Sequence, residues 1–263
     1  MTGLDLGLSG RTALVCGSSA GLGRACAEAL TRAGATVVLN GRDPERLAAA
    51  AEELCNTTGV ELSYICADVT SPAGRQTLLS QCANPDILVN NSAGPPAGDV
   101  RDFDEADWAA ALGTTMIAPI MMIKGVIDGM TARGWGRIIN ITSSSVKAPL
   151  PLLALSNGGR SGLTGFVAGL ARQVARHNVT INNLLPGPFL TDRLRSGIEF
   201  EARRQNVSFE EMLTRRSASN PTGRVGDPEE FGDACAFLCA ASSGFIVGQN
   251  LLLDGGAFNS TMG

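Results

Sequence analysis

The residues able to do chemistry crowd into one stretch of this 263-residue chain, Arg137 to Thr164, which reads RIINITSSSVKAPLPLLALSNGGRSGLT. An apolar strand pattern (Ile138, Ile139, Ile141) runs into four consecutive hydroxyls, Thr142 to Ser145, then Lys147 and two prolines. A helical pattern begins near Leu155. Serines at the end of a buried strand, ahead of a loop and a helix, sit where an α/β enzyme places its chemistry. The acid expected beside them, a tyrosine or a histidine, is missing. The only tyrosine is Tyr64, the only lysines are Lys124 and Lys147, and the one histidine is His177. Lys147 reads as a loop lysine in solvent, with proton donation, direct or through water, as the alternative. His177 ends a long helical pattern, where a cation is electrostatically favoured, and reads as structural.

A second chemical feature precedes it. Cys16-Gly17-Ser18-Ser19-Ala20-Gly21-Leu22-Gly23 follows a short apolar run and opens an amphipathic helix. Glycines there let the backbone turn tightly and approach a phosphate, whose charge the helix N-terminus attracts. The spacing is GxxxGxG, and its place between a first strand and a helix points to dinucleotide binding. The second strand ends Asn40-Gly41-Arg42. An acid at that tip would grip a ribose diol and repel a 2′-phosphate. A neutral Asn40 followed by Arg42, which can clamp a phosphate, favours NADP over NAD; the alternative for Arg42 is a solvated helix-leading charge. Asp68, followed by Val69, either accepts a hydrogen bond from the adenine amino group or caps the next helix with Thr70 and Ser71. Asn90 and Asn91 can lock neighbouring loops through backbone hydrogen bonds.

Apolar runs that alternate with helical patterns must position these groups. Strands are expected at 13–16, 36–40, 61–67, 87–90, 137–142, 180–185 and 250–253, and helices near 22–33, 44–57, 72–82, 104–130, 155–177 and 228–240. Wholly apolar strands separated by helices belong to a parallel sheet covered on both faces. The expected fold is therefore α/β, a single doubly wound domain of about seven strands spanning 1–263, with ligands at the carboxyl ends. Hydrophobic residues at 44% suffice for a core, and a net charge of −4 disfavours nucleic acid or an anionic membrane as partner. No apolar run is read as approaching the ~18–20 residues of a membrane span. The N-terminus lacks a signal-peptide layout, so a cytoplasmic location is expected. Seven scattered cysteines without a CxxC pair read as buried free thiols, and no metal site is expected.

Cys16–Gly23, Asp86–Gly94, Pro186-Gly187-Pro188 and Gly223–Glu230 through Asp254-Gly255-Gly256 together resemble the short-chain dehydrogenase/reductase family, the group that includes ketoacyl carrier-protein reductases. The resemblance covers essentially the whole chain. It implies a Rossmann-type domain binding NAD(P), a small-molecule substrate and a homo-oligomer, a tetramer or a dimer. Gly17, Gly21 and Gly23 match the family's TGxxxGxG, with Cys16 at the threonine position. Asn90, Asn91, Ser92 and Ala93 match its NNAG, with the last two positions changed. Pro186 and Gly187 match the motif facing the nicotinamide, and Thr191 suits a carboxamide or phosphate contact. The catalytic asparagine position falls near Thr115. Ser143 matches the catalytic serine, while the YxxxK tyrosine and lysine positions fall on Ser156 and Arg160. An alkanol is too weak an acid to replace the tyrosine unaided, a loss worth ~10²–10⁴-fold in rate. Arg160 can still hold ribose hydroxyls or stabilise an oxyanion, on the same helix face as Ser156.

The resemblance leaves three readings. One is an NADP-dependent oxidoreductase on a carbonyl or alcohol with a rearranged proton path. The others are an NADP-binding regulatory or scaffolding protein and a non-redox lyase or isomerase. Residues 191–220 are expected to form a substrate lid that is disordered without ligand. Its arginines are expected to pair at i,i+4 with Glu199, Glu201, Glu210 and Glu211, although they could meet an anionic substrate. Phe200, Phe209, Met212 and Leu213 form its expected apolar underside. The apolar faces of helices 104–130 and 155–177 exceed what one sheet needs, which also suggests an oligomer.

Overall fold

The computed structural model describes residues 5–261. The N-terminal leader reading rests partly on residues 1–4, which lie outside them. Seven parallel strands form one sheet in the order β3-β2-β1-β4-β5-β6-β7. They are β1 (Thr12–Val15), β2 (Thr36–Gly41), β3 (Ser63–Cys66), β4 (Ile87–Asn90), β5 (Gly136–Ile141), β6 (Val179–Pro186) and β7 (Asn250–Leu253). Every expected strand is present, with ends shifted by two residues at most.

Strand side chains alternate between two cores, as the two-residue period requires. Ala13, Val15, Leu39 and Ile139 pack with α1 (Gly21–Arg32), α2 (Pro44–Thr58) and α9 (Pro228–Cys239). Leu14, Leu88, Ile138 and Ile181 pack on the other face with α3 (Pro72–Gln81), α5 (Ala118–Arg133) and α6 (Ala154–Val174). Helix α2 shows why the ends fall where they do: Asp43 caps two amides, Pro44 occupies the first turn, and Gly59 closes it in the left-handed conformation.

Four asparagines cross the sheet in register. Asn90 donates to Asn140 (2.9 Å), Asn140 to Asn183 (3.0 Å) and Asn183 to Asn250 (2.7 Å), each pair lying directly opposite.

The helix expected at 104–130 runs from Glu105 to Arg133 but is broken in character. Helix α4 (Glu105–Leu112) passes through a π turn, Gly113–Ile117, into α5. Pro119 has no N–H for the i−4 bond, and the wider turn accommodates that loss. By length and composition this one helix, with a mean hydropathy of 1.6 in its most apolar window, is long and apolar enough to cross a membrane. That corrects the expectation that no segment comes near. In the fold its Met122, Ile123, Val126 and Met130 are buried against the sheet.

Residues 191–220 form two helices, α7 (Asp192–Gln205) and α8 (Phe209–Ala218), around Ile198, Ala202 and Met212. Phe209 and Leu213 pack against that cluster, but Phe200 is exposed, contrary to expectation. One expected i,i+4 pair forms, Arg215 to Glu211, and Arg216 reaches across to Glu201. All seven cysteines are free thiols. Cys66 is exposed and Cys55 half-buried, so the expectation of burial fails there. His177 is exposed in a short 3-10 turn after α6.

Candidate active site

Strand order reverses between β1 and β4, and the crevice past their carboxyl ends is where a doubly wound sheet holds ligands. The loop leaving β1 enters that crevice with Gly17 and Gly21 both at φ 58°. A Cβ at Gly23 would fall 2.3 Å from the Gly17 carbonyl oxygen, so only glycine permits this approach of helix to strand. Asn91 Nδ2 donates to the same carbonyl at 2.9 Å, which is the loop-locking role read from the paired asparagines. Ser18 is buried and used internally: its hydroxyl donates to Val15 O and accepts from Asn40 N. Ser19 and Leu22 are half-buried in the same loop.

Helix α1, like α6, starts without a side-chain cap or an acid in its first turn. Asp43, Ser71, Asp104, Thr191, Ser208 and Asp227 cap other helices with side-chain oxygens. Ala20 caps nothing, and the first turn of α1 carries no acid. Its first-turn amides therefore have no side-chain acceptor, which fits an anionic group such as a dinucleotide's pyrophosphate.

At the tip of β2 the Asn40 side chain is committed to the protein. Its Nδ2 donates to Ile65 O (3.1 Å) and Ala67 O (2.9 Å), while Gly17 N reaches its Oδ1 at 3.5 Å. Arg42 is exposed beside Asp68. Burial alone would raise the Asp68 carboxyl. Hydrogen bonds from the hydroxyl and amide of Thr70, aided by the charges of Arg42 and Arg75, hold it below its ordinary value. Ser71, not Asp68, caps α3.

The hydroxyl-rich stretch converges on Arg160. Ser143 caps a 3-10 turn, Ser144–Val146, its Oγ accepting from Ser145 N at 3.1 Å. Ser156 is buried in the first turn of α6, and its Oγ accepts from Arg160 Nε at 3.1 Å. Arg160 Nη1 donates to Ile141 O and Thr142 O, both at 2.8 Å, so one guanidinium ties Ser156 to the backbone leading into Ser143. Burial first, and then the charge of Arg193, push the Arg160 pKa down to about 10. Arg160 remains a cation at neutral pH, and no described carboxylate pairs with it. Lys147 follows the 3-10 turn half-buried, with no described ion pair.

A narrow cleft gathers Val69, Asn91, Ser92 and Arg160, with Thr114 and Thr115 from the π turn and Pro119 from the start of α5. Ser143, Ser156, Ala93, Pro186 and Gly187 do not line it. Thr115 donates back to Ala111 O at 2.7 Å and is buried. A Cβ at Gly159 would lie 2.0 Å from Thr115 Oγ1, so α6 is glycine where the π turn presses on it. Gly187 also abuts Asp254, with a Cβ there 2.7 Å from its Cα. Thr191 caps α7 and lies 3.6 Å from where a Gly21 Cβ would be, which brings it to the glycine loop. Sequence reasoning missed Thr114 and Pro119, because they are brought to the cleft by a π turn and the helix start just after it, which helical periodicity does not show.

The family model described as enoyl-(acyl carrier protein) reductase matches residues 17–257. The chain belongs to the short-chain dehydrogenase/reductase family. Within that family it is 32% identical to the 3-oxoacyl-acyl-carrier-protein reductase FabG of Aquifex aeolicus, over 97% of this chain and all of the relative. It is 33% identical to the gluconate 5-dehydrogenase of Gluconobacter oxydans, over 95% of each chain. The crystal structure of L-sorbose reductase from Gluconobacter frateurii, complexed with NADPH and L-sorbose, superposes with a TM-score of 0.92. It is 29% identical and covers 98% of this short-chain dehydrogenase/reductase and 100% of its own chain.

Proposed function

We propose that this short-chain dehydrogenase/reductase is an NADP(H)-dependent oxidoreductase that works on a carbonyl or alcohol through an Arg160-centred site in place of the tyrosine–lysine pair. The observation that carries the reading is the half-buried Arg160 cation, bonded to Ser156 and to the Thr142 carbonyl while lining the cleft. When bound, the nicotinamide supplies or accepts the hydride. The glycine loop and the uncapped start of α1 hold its pyrophosphate, and Arg42 takes the 2′-phosphate. Arg160 stabilises negative charge on the substrate oxygen, a role that needs a fixed cation and no proton exchange. Ser143 orients that oxygen. The Ser156 oxygen accepts from Arg160, which leaves its own O–H to donate to substrate or to a bound water, and water supplies the proton.

Related reductases support this class: the sorbose reductase structure holds NADPH, and a 3-oxoacyl reductase of Agrobacterium tumefaciens was solved with NADP bound. The exposed Ile117 and Met121 on the long helix support pairing with a second copy, which a native mass above that of one chain would bear out. The missing phenol and ammonium favour one other reading, cofactor binding without turnover. NADPH oxidation with a panel of ketones and aldehydes separates the two. Turnover unchanged in Ser143→Ala and Arg160→Ala would sink the assigned roles, and tight NADPH binding without turnover on any substrate would favour the second reading.

A further inference from the structure

Asn40 stands at the tip of β2, where the adenosine ribose of a dinucleotide would approach the sheet. Its side chain is nonetheless closed to a ligand. The residue is 1% exposed, and its two amide hydrogens go to Ile65 O of β3 (3.1 Å) and Ala67 O just beyond it (2.9 Å). Its Oδ1 reaches the Gly17 amide of the glycine loop at a long 3.5 Å. The main chain of Asn40 grips the same loop more firmly: Ser18 N donates to Asn40 O at 2.8 Å, and Asn40 N donates to Ser18 Oγ at 2.9 Å. From the β4 side, Asn91 Nδ2 holds Gly17 O at 2.9 Å.

Gly17 sits at φ 58°, a conformation the loop must keep if it is to bring α1 and its free amides up to a phosphate. A residue that ties this peptide to a neighbouring strand limits the ways the loop can relax, and preorganisation of that kind raises affinity without touching the ligand. We propose that Asn40 is a positioning residue for the coenzyme: it clips the glycine loop to β3 in its phosphate-binding shape and takes no part in choosing between NADP and NAD. Aspartate has nearly the same shape but no hydrogen to donate, so its carboxylate would face the Ile65 and Ala67 carbonyls, acceptor against acceptor. An acid at position 40 would therefore release the loop instead of gripping a ribose diol. Discrimination is left to the exposed Arg42, outside the clip. This inference rests on the NADP(H)-dependent reading but concerns a residue that does not touch the coenzyme.

The test measures Kd for NADPH and for NADH by fluorescence titration of the full chain, with hydrogen exchange of the Cys16–Gly23 segment followed by mass spectrometry. Asn40→Asp and Asn40→Ala should each weaken both coenzymes together by ~5–10-fold, about the worth of one hydrogen bond, and leave the NADPH-to-NADH ratio within ~2-fold of wild type. Exchange in the Cys16–Gly23 segment should quicken in both. Ser18→Ala, which removes the hydroxyl that Asn40 N donates to, covers the case in which a variant at position 40 does not fold, and should weaken both coenzymes in the same sense. A ratio shifted at least ~10-fold toward NADH in Asn40→Asp would overturn the proposal, because it would make position 40 a ribose contact. Unchanged affinities in folded Asn40→Ala and Ser18→Ala would overturn it as well, leaving Asn40 a structural tie only. If wild type bound neither coenzyme, the NADP reading would fail, and exchange alone would decide the clip: faster in Asn40→Ala supports it, equal refutes it.

Discussion

Replacing Arg160 with methionine keeps an unbranched side chain but removes the guanidinium, so it separates the two roles of this residue. Three charge-assisted hydrogen bonds are lost, at 2.8, 2.8 and 3.1 Å. At ~1.5–3 kcal/mol each they sum to about 5–9 kcal/mol. Against this stands the cost of keeping a charge out of water. Its pKa is pushed down to about 10, a depression that corresponds to ~3 kcal/mol. The net expectation is a destabilisation of about 2–6 kcal/mol, which for a chain of this size lowers Tm by roughly 4–24 °C. Thermal unfolding followed by circular dichroism, with and without NADPH, measures it. Kinetics on the folded variant should show kcat/KM down ~10²–10³-fold, the effect of removing one oxyanion donor. A Tm within 2 °C of wild type would refute the tether from Ser156 to the end of β5. A folded variant with wild-type kcat/KM would refute charge stabilisation by Arg160.

Arg160 also sets an expected pH dependence. Its folded pKa is depressed, so the cation persists below about 10 and is lost as pH rises through that value. The kcat/KM profile should lack a limb from this group at neutral pH and fall above about 10, and the Met variant should lack that fall; a wild-type profile flat through that range would contradict it. The stability term has the opposite sign: the cost of burial is fully felt below about 10 and eases as pH rises above it, where the unfolded chain still retains the proton that the folded one has released. Gly23→Ala places a methyl group 2.3 Å from Gly17 O and 2.7 Å from Asn91 Nδ2, and should weaken NADPH binding at least tenfold in a fluorescence titration. Unchanged affinity would show that the glycine loop is not the cofactor cradle.

The sheet was legible because its signals are local: apolar runs of strand length, bounded by glycine or by capping residues such as Asp43 and Ser71, read correctly one at a time. The glycine loop was legible for the same reason. Other features depend on tertiary neighbours. Asn40 looked like a neutral neighbour for a ribose, but its amide holds β3 because that strand pairs beside it. Ser156 and Arg160 could be placed on one helix face from their spacing, yet the bonds to Ile141 and Thr142 need the end of β5 alongside. Phe200 followed the apolar pattern of its helix and still faces solvent, because the α7–α8 pair buries Ile198 and Ala202 instead.

The asparagine row across β4, β5, β6 and β7 has a consequence for how this chain finds its fold. Parallel strands rich in Ile, Leu and Val tolerate mispairing, since one aliphatic side chain contacts another almost as well when displaced by two places. Amides do not. A shifted β5 would set Asn140 among aliphatic neighbours and break two rungs at once, at about 1–3 kcal/mol for each stranded polar group. The row therefore acts as an alignment key: it penalises wrong assembly more than it strengthens the right one. Because Asn140 and Asn183 each both donate and accept in the row, removing two adjacent rungs together should cost less than the sum of the separate losses. The last rung, Asn250, lies on β7, so the key is complete only once that strand has joined the sheet.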